Sequence, residues 1–287
     1  KNLDQQTGNI LTQILRPQSA ILRMGATTYN LPFIFTNPIR DFADALFGEI
    51  TEKGMRAAGE FLASYPHAIA SALRKDDLYK QWALSGGRQS TFTSQIIGLP
   101  RQTVKRLAHQ EGTIKKVLNP REAMEFLNRV AEESTRLAAF KRSLGAGEEV
   151  SEAAFRSRDI TVDFAKSGNF LRLFNQVVPF LNASVQGVER TFRIFKNNPK
   201  RGMIAASILG SFPATATYLW NRQFKDYNDI PQFEKDLNWI FIARDRSEIE
   251  KLEGEPIKGI KIPKGRIAGI PANMTESFLQ FADQRDP

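Results

Sequence analysis

The sequence predicts a mainly α protein, an irregular multi-helix assembly with a small β-hairpin near the C-terminus. Asn-Pro pairs begin several apolar stripes whose members are three and four residues apart, which is the signature of helices. Two short runs rich in β-branched residues, 239–243 and 257–263, are separated by charged turn residues and predict the hairpin. With 41% hydrophobic and 25% charged residues, the composition is that of a globular protein.

The first two predicted helices begin at Asn-Pro pairs. Asn37 is the expected N-cap of one helix, with Pro38 as its first helical residue. Asn119 and Pro120 predict the same start for a second helix, which Gly145 is expected to end. Apolar residues on one face support the first of these helices: Ile39, Phe42, Leu46 and Ile50.

Four more helices are predicted farther along the chain. One runs from about Ser151 to Gly168, and one of about 17 residues follows Pro179 and ends at the NNP sequence of 197–199. Pro199 starts the next helix, which Pro213 is expected to kink or break. The last helix covers 272–284 and is expected to be capped near Asn273.

These elements suggest an order of regions along the chain. We expect an N-terminal helical region at 1–85, a linker at 86–100, and a basic helical region at 101–235. The hairpin and terminal helix then occupy 236–287. The first residue is Lys and not Met, so we expect a fragment of a longer chain or a processed one.

The charge of the chain favours polyanionic partners. The formal net charge is +9 and the pI is about 9.7, so nucleic acid and acidic lipid are the natural candidates. Residues 74–121 carry ten bases against three acids, and residues 166–225 carry nine against one. There is no cysteine, which excludes disulfides and thiolate metal sites.

Catalytic and cofactor signatures are missing from the sequence, and nothing in it predicts an enzyme, a metal or a cofactor. No Gly-Lys-Ser/Thr triplet of a phosphate-binding loop occurs. The two histidines, His67 and His109, are interpreted as ordinary surface or semi-buried residues. Adjacent carboxylates such as Glu132–Glu133 and Glu148–Glu149 are interpreted as solvated charges.

One further carboxylate pair stands in the DYNDIP sequence. Asp226 and Asp229 are one helical turn apart, a geometry that a hard cation could use. A cap and turn is the interpretation that we favour for this pair.

The stretch from 180 to 201 mixes bases with aromatic residues. Placed on a helix, Phe180, Ser184, Val188, Phe192 and Phe195 share one face, which we expect to be core. Arg190 and Arg193 lie on the other face, which is either solvated or bound to phosphates. The nucleic-acid hypothesis covers these bases: Arg190, Arg193, Lys196, Lys200, Arg201 and, from the other basic stretch, Lys105 and Arg106.

The next segment, 202–221, is twenty residues long and carries no charge. A helix of that length spans about 30 Å, the thickness of a hydrocarbon core. Small residues recur at every fourth position, as in helices that pack closely in membranes: Gly202, Ala206, Gly210 and Ala214. Tyr218 and Trp220 stand at one end, as interfacial aromatic residues do. A buried helix of a soluble core and a conditionally membrane-inserted helix both remain open.

Several motifs resemble a known domain family. The stretches 22–46 (LRMGATTYNLPFIFTNPIRDFADAL), 159–187 (DITVDFAKSGNFLRLFNQVVPFLNASVQG), YNDIP and IPKGRIAGI are similar to a large polyvalent protein-associated domain, number thirty-eight of that series. The resemblance spans nearly the whole chain, and its most specific part is the order NPIRD, DFAKSG, PFLNASVQG.

Such domains occur in giant proteins of tailed phages and other mobile elements. The resemblance therefore implies a virion or mobile-element setting, and no catalytic residue. The residues that match its motifs are interpreted as polar contacts that hold the helices together: Asn37, Arg40, Asp41, Asn182 and Gln186.

Three functions are compatible with the sequence. The first is a non-enzymatic segment of an internal virion (ejection) protein, located in the virion interior and later in the host cell envelope or cytoplasm. Its expected partners are other virion proteins (further copies of itself included), DNA without sequence preference, and the bacterial inner membrane. The second is an accessory nucleic-acid-binding module of a larger enzyme such as a virion polymerase. The third is a scaffold that binds only protein.

Overall fold

The computed structural model of the chain describes residues 31–90, 120–160 and 181–283. Helices make up 77% of the described residues, and two antiparallel strands form a hairpin near the C-terminus. The predicted fold class is therefore confirmed. The chain divides into two compact units, the first formed by Lys1–Pro38 and Gly59–Phe192 and the second by Ile39–Ala58 and Arg193–Pro287.

The helices of the described ranges are, in chain order, α1 Leu31–Lys53, α2 Met55–Arg74, α3 Asp77–Leu84, α4 Pro120–Gly145, α5 Val150–Asp159, α6 Leu181–Asn197, α7 Pro199–Ala206, α8 Phe212–Asn221, α9 Gln232–Leu237, α10 Glu248–Leu252 and α11 Arg266–Asp283. The strands are β1 Asn238–Ile242 and β2 Gly259–Pro263. Short 3-10 turns cover Gly87–Ser90 and Lys225–Tyr227, and a π-helical turn at Ser207–Ser211 joins α7 to α8.

Local sequence signals set several helix ends as predicted. Helix α4 begins at Pro120 and ends at Gly145, and α7 begins with Pro199 at its first position. Proline suits this position because the N–H groups of the first turn have no partner within the helix, so the N–H that proline lacks costs no hydrogen bond. The expected cap Asn119 lies outside the described residues, as do 91–100 of the predicted linker. The predicted order of regions stays a prediction.

The predicted start of α1 at Pro38 is wrong. The helix begins at Leu31, so that Pro38 lies inside it and Asn37 is a helical residue, not an N-cap. A proline removes one backbone hydrogen bond but does not prevent helix on both sides of it. The predicted helix from about Ser151 to Gly168 is observed as α5, which begins at Val150 and ends at Asp159. The stretch 161–168 lies outside the described residues.

The start of α11 also differs from the prediction, because the cap comes from a distant residue. The helix begins at Arg266 and passes through Pro271, so Asn273 is not its cap. The Asp44 carboxylate accepts a hydrogen bond of 3.0 Å from the Ile267 backbone N–H, as an N-capping group would. Asn273 instead accepts from the Lys264 Nζ at 2.9 Å and donates to the Asp236 carbonyl at 3.2 Å.

The first unit contains an aromatic core with a charged network inside it. Tyr79 and Trp82 are fully buried, and the Tyr79 hydroxyl donates to Glu133 at 3.1 Å. Arg88 forms an ion pair with the same carboxylate at 3.3 Å. The interpretation of Glu133 as a solvated charge is wrong, since only 1% of the residue is exposed. A buried carboxylate persists because a cation and a hydroxyl satisfy it.

The second unit has two apolar clusters. One joins α1, the start of α2, α6, α7 and α11 through buried residues: Phe47, Ile50, Ala58, Ile194, Ala205, Ala206, Ile267 and Ala268. The other joins α8 to the hairpin region: Tyr218, Tyr227, Ile230, Ile240 and Ile242. The two strands pair with Ile240 opposite Lys261. In β1 the exposed Phe241 stands between the buried Ile240 and Ile242, as expected of a strand with one buried face.

Candidate functional site

The bases of the predicted nucleic-acid surface have different environments. Lys196, Lys200 and Arg201 are exposed at the junction of α6 and α7. The Arg201 guanidinium donates to the Glu52 carbonyl at 3.1 Å, which holds its stem against the end of α1. Arg193 is half-buried. Lys105 and Arg106 lie outside the described residues. Three cations are thus presented together to solvent.

The assignment of Arg190 to a solvent-exposed face is wrong. Only 9% of the residue is exposed, and its Nη1 donates to the Ile160 carbonyl. A guanidinium can be buried when its stem packs against apolar neighbours and its head finds an oxygen acceptor. Arg190 is therefore not placed to contact phosphates.

The predicted core face of α6 is confirmed at Phe195 and wrong at Phe192. Phe192 has 70% of its surface exposed, whereas Ile194 is 1% exposed and Phe195 packs beside it in the core cluster. The side chains of the N-terminal part of α6 are not described before Glu189, which includes Asn182 and Gln186. The error at Phe192 arises because the phenylalanines of α6 form more than one apolar stripe, and tertiary packing buries a different one.

Helices α7 and α8 and the π turn between them make one 23-residue segment, Pro199–Asn221, which we call the 199–221 helix. Pro213 does not end the helix, which continues to Asn221. The Phe212 N–H donates to the Ser207 carbonyl, five residues earlier, just before the proline. Such a π turn accommodates the missing N–H of a proline by changing the register of the bonds around it.

Within the described part of the chain, the 199–221 helix is the one segment long and apolar enough to cross a membrane. Length and composition alone are weak evidence, since a core helix passes the same test, and 39% of its most apolar window is buried. Which side of the helix is buried therefore decides what it can contact.

The buried side consists of the predicted small residues, which we call the small-residue ladder: Gly202, Ala206, Gly210 and Ala214. The backbone of Gly210 lies against α11 so closely that a Cβ there would stand 2.7 Å from the Pro271 Cγ and 2.9 Å from the Ala268 carbonyl oxygen. A Cβ on Gly202 would stand 3.0 Å from the Phe195 ring. Other helices of the protein thus already pack against the ladder.

The opposite side of the 199–221 helix is apolar and faces solvent. We call it the apolar strip, and its members are Met203, Ile204, Ile208, Phe212 and Leu219. Their exposed fractions are large, from 42% at Ile208 to 73% at Phe212. Ile204, Ile208, Phe212 and Leu219 recur at spacings of one or two helical turns, so they lie along one face, and the exposed Met203 precedes them. This strip was not predicted from the sequence, where the small residues are the more obvious pattern, although the spacing of Ile204, Ile208 and Phe212 indicates it.

Cations stand at both ends of the apolar strip. Lys200 and Arg201 are exposed one turn before Met203, and Arg222 follows the helix with half of its side chain exposed. The sequence from Arg190 to Lys225 contains no acidic residue. Arg222 Nη1 also forms an ion pair with Asp283 at 3.3 Å, so the positive charge beside the strip is greater at its N-terminal end. An exposed apolar face with nearby cations suits an anionic, partly apolar partner.

The C-terminal end of the 199–221 helix is tied to the hairpin and to α11. Asn221 donates to the Ile240 carbonyl at 2.6 Å and accepts from the Ile242 N–H at 3.1 Å. The Tyr218 hydroxyl donates to Asp283 at 2.7 Å, and burial together with this bond raises the pKa of Tyr218 to about 12. Tyr218 is 5% exposed, so its interpretation as an interfacial aromatic residue is wrong.

The N-terminal end of α11 is held by two acids of α1. Arg266 forms ion pairs with Asp41 at 3.1 Å and with Asp44 at 3.3 Å. Burial lowers the pKa of Arg266, but these two carboxylates outweigh it and the net shift is upward. Asp41 belongs to the NPIRD motif, and its contact does join two helices. Arg40 is half-buried, and its pKa is lowered by burial and by the neighbouring Arg266.

The Asp226–Asp229 pair is bridged by a protein cation. The Arg246 Nε contacts Asp226 at 2.9 Å, and its Nη2 contacts Asp229 at 2.8 Å. Asp226 is fully buried in a 3-10 turn; burial opposes its ionisation, but the Arg246 guanidinium outweighs this and lowers the pKa of Asp226. The pair is therefore a turn, as favoured, and no group of three potential metal ligands occurs among the described residues.

Comparison with known proteins gives no match. No protein-family model, no curated protein and no solved structure is similar to this chain at a significant level. The interpretation of the site therefore rests on its own geometry.

Proposed function

We propose that this chain is a non-enzymatic segment of an internal virion (ejection) protein of a tailed phage, and that it meets an acidic membrane through the apolar strip. The observation that carries the proposal is the exposed row from Met203 to Leu219 with Lys200, Arg201 and Arg222 at its ends. The phage setting rests on the resemblance of the NPIRD, DFAKSG and PFLNASVQG motifs to a polyvalent-protein domain.

The energetics of the strip support membrane association. Each large apolar side chain that leaves water contributes about 1.5–3 kcal/mol when it is fully buried. Each base close to an anionic surface adds about 1 kcal/mol at physiological salt. Five half-exposed apolar residues that are partly immersed, together with the neighbouring cations, supply about as much as a single lipid anchor, which is enough for reversible binding.

The proposed partners and location follow from that setting. Inside the particle the chain packs with other virion proteins and with DNA, and copies of the chain can cover the strip of one another. After infection it moves to the inner membrane of the host envelope or to the cytoplasm.

A second function is favoured by a specific observation. Lys196, Lys200 and Arg201 are exposed together, which supports an accessory nucleic-acid-binding module of a larger enzyme. Without Arg190, however, the cluster is small. Such a module would bind DNA weakly, without sequence preference and with a steep dependence on salt.

Paired variants separate the two functions. Ile204→Gln with Ile208→Gln should weaken flotation with anionic vesicles and leave DNA binding unchanged, because both side chains are apolar and exposed. Lys196→Gln with Lys200→Gln should weaken both. Leu252→Gln is the matched control, since Leu252 is 89% exposed outside the strip. A folded parent chain that binds DNA but not vesicles would support the nucleic-acid module instead.

The virion setting has its own test. Mass spectrometry of purified particles of the element that encodes this chain should find the polypeptide inside them, in several copies. Its absence from the particles would contradict the virion setting without bearing on the membrane contact.

A further inference from the structure

We infer that the 199–221 helix lies in the plane of the membrane interface, with α11 still docked on the small-residue ladder, and does not cross the bilayer. The inference rests on the proposed membrane contact and concerns its geometry. It goes against the sequence pattern, in which a charge-free segment of twenty residues with a small-residue ladder is typical of a membrane span.

The 199–221 helix has one lipid-compatible side and not two. A span exposed to lipid is apolar all round, whereas an interfacial helix has one apolar face and another that is polar or covered. Here the strip faces outward, and the ladder contacts α11 with Gly210 in van der Waals contact with Pro271 and Ala268. The ladder therefore has a protein partner before any membrane is met.

Removing α11 from the small-residue ladder is costly. The N-terminal end of α11 carries the Arg266 pairs with Asp41 and Asp44, and both acids are buried. Undocking α11 would leave these carboxylates and the Ile267 N–H to find new partners, which is costly for charged groups.

The C-terminal end of the 199–221 helix is bonded to the hairpin. Asn221 holds both a carbonyl and an N–H of β1 through its side-chain amide. The Trp220 indole N–H donates to the Ile242 carbonyl at 2.9 Å. Crossing the bilayer would break these bonds or take part of the hairpin into hydrocarbon, where its polar groups cannot be satisfied. In-plane binding keeps every one of them.

The charges fit the in-plane geometry. Lys200 and Arg201 at one end and Arg222 at the other are separated by about 30 Å of helix. A helix that lies flat brings both ends to the headgroups of the same leaflet, and Phe212 between them points into the acyl boundary. The apolar stems of the bases can also reach along the surface while their charges stay hydrated.

The test uses the fact that the chain has no cysteine. Single cysteines are placed just beyond the two ends of the 199–221 helix, as Asn197→Cys and Gln223→Cys, both at exposed positions. Each full-length variant is bound to phosphatidylglycerol-containing vesicles and treated with a membrane-impermeant maleimide. In-plane binding predicts no loss of labelling at either position relative to detergent-treated samples. Complete loss at one position, restored by detergent, would overturn the inference.

A second measurement places the strip itself. A polarity-sensitive fluorophore attached through Phe212→Cys should shift to shorter wavelength on vesicles, and the same probe through Leu252→Cys should not shift. Vesicle flotation of the labelled chains tells the two proposals apart. Without flotation, the proposed membrane contact and this inference both fail; flotation with one protected end leaves the contact standing and overturns the in-plane geometry alone.

Discussion

Phe212 provides the sharpest quantitative prediction, because 73% of its surface is exposed at the centre of the apolar strip. That fraction of a side chain of about 200 Å², at about 25 cal/mol per Å², corresponds to about 3.5 kcal/mol on full transfer from water. An interfacial helix immerses its face only partly, and we take about half of that value. Phe212→Ser should then weaken vesicle binding by about 2 kcal/mol, or about 25-fold in the partition coefficient.

The assay is a titration with anionic vesicles, followed by flotation or by intrinsic tryptophan fluorescence. Phe233→Ser is the matched control, since Phe233 is 63% exposed but stands beside Glu234 and outside the strip. Circular dichroism and the urea midpoint should show that both variants fold like the parent, because neither side chain belongs to a core cluster. Equal binding by Phe212→Ser and the parent would refute the assignment of the strip as the lipid contact.

Three further predictions concern the contacts that hold the second unit together. Gly210→Leu should lower the free energy of unfolding by about 1–3 kcal/mol, measured in urea, because its side chain has no room beside α11. Asp44→Ala should lower it by a similar amount, about 1–3 kcal/mol, because the cap on Ile267 and an ion pair are lost together. The raised pKa of Tyr218, about 12 against an ordinary 10, means that the folded state keeps its proton more tightly. The stability that this contributes is therefore complete below about pH 10 and is lost as the pH rises towards about 12, and Tyr218→Phe should remove that part of the alkaline decline in the urea midpoint.

The sequence predicts the fold class and those helix ends that depend on neighbouring residues. Pro120 and Pro199 start helices because the φ angle and missing N–H of proline are local properties. The two strands follow from short β-branched runs, and their pairing is the simplest one available to them. Ser247 and Glu250 form a capping box at α10 for the same local reason, and the bond to Arg244 helps to lower the pKa of Glu250 to about 2.

Elements that depend on distant residues are not predictable in this way. The start of α11 is set by Asp44, more than two hundred residues earlier in the chain, so the local signal at Asn273 pointed to the wrong residue. Glu133 has the sequence context of a surface acid, yet Arg88 and Tyr79 reach it in a buried network. Both cases need the tertiary arrangement before the polar groups can be paired.

In the candidate site, too, the sequence predicts some features of the helix faces and not others. The spacing of the small-residue ladder is visible in the sequence, and the structure confirms that these residues are tightly packed. The sequence does not show that α11 packs on the ladder, and it does not show which face of α6 is buried. Phe192 is exposed and Arg190 is buried there, the reverse of what amphipathicity alone predicts.

The central claim is that an exposed apolar strip with cationic ends binds anionic bilayers. The most direct measurement is flotation of the full-length folded chain with phosphatidylcholine vesicles, with and without phosphatidylglycerol, over a range of salt concentrations. We expect binding to the anionic vesicles at low salt, a decline as salt screens the contribution of Lys200, Arg201 and Arg222, and little binding to neutral vesicles. Failure of the folded chain to float with anionic vesicles at low salt would contradict the claim.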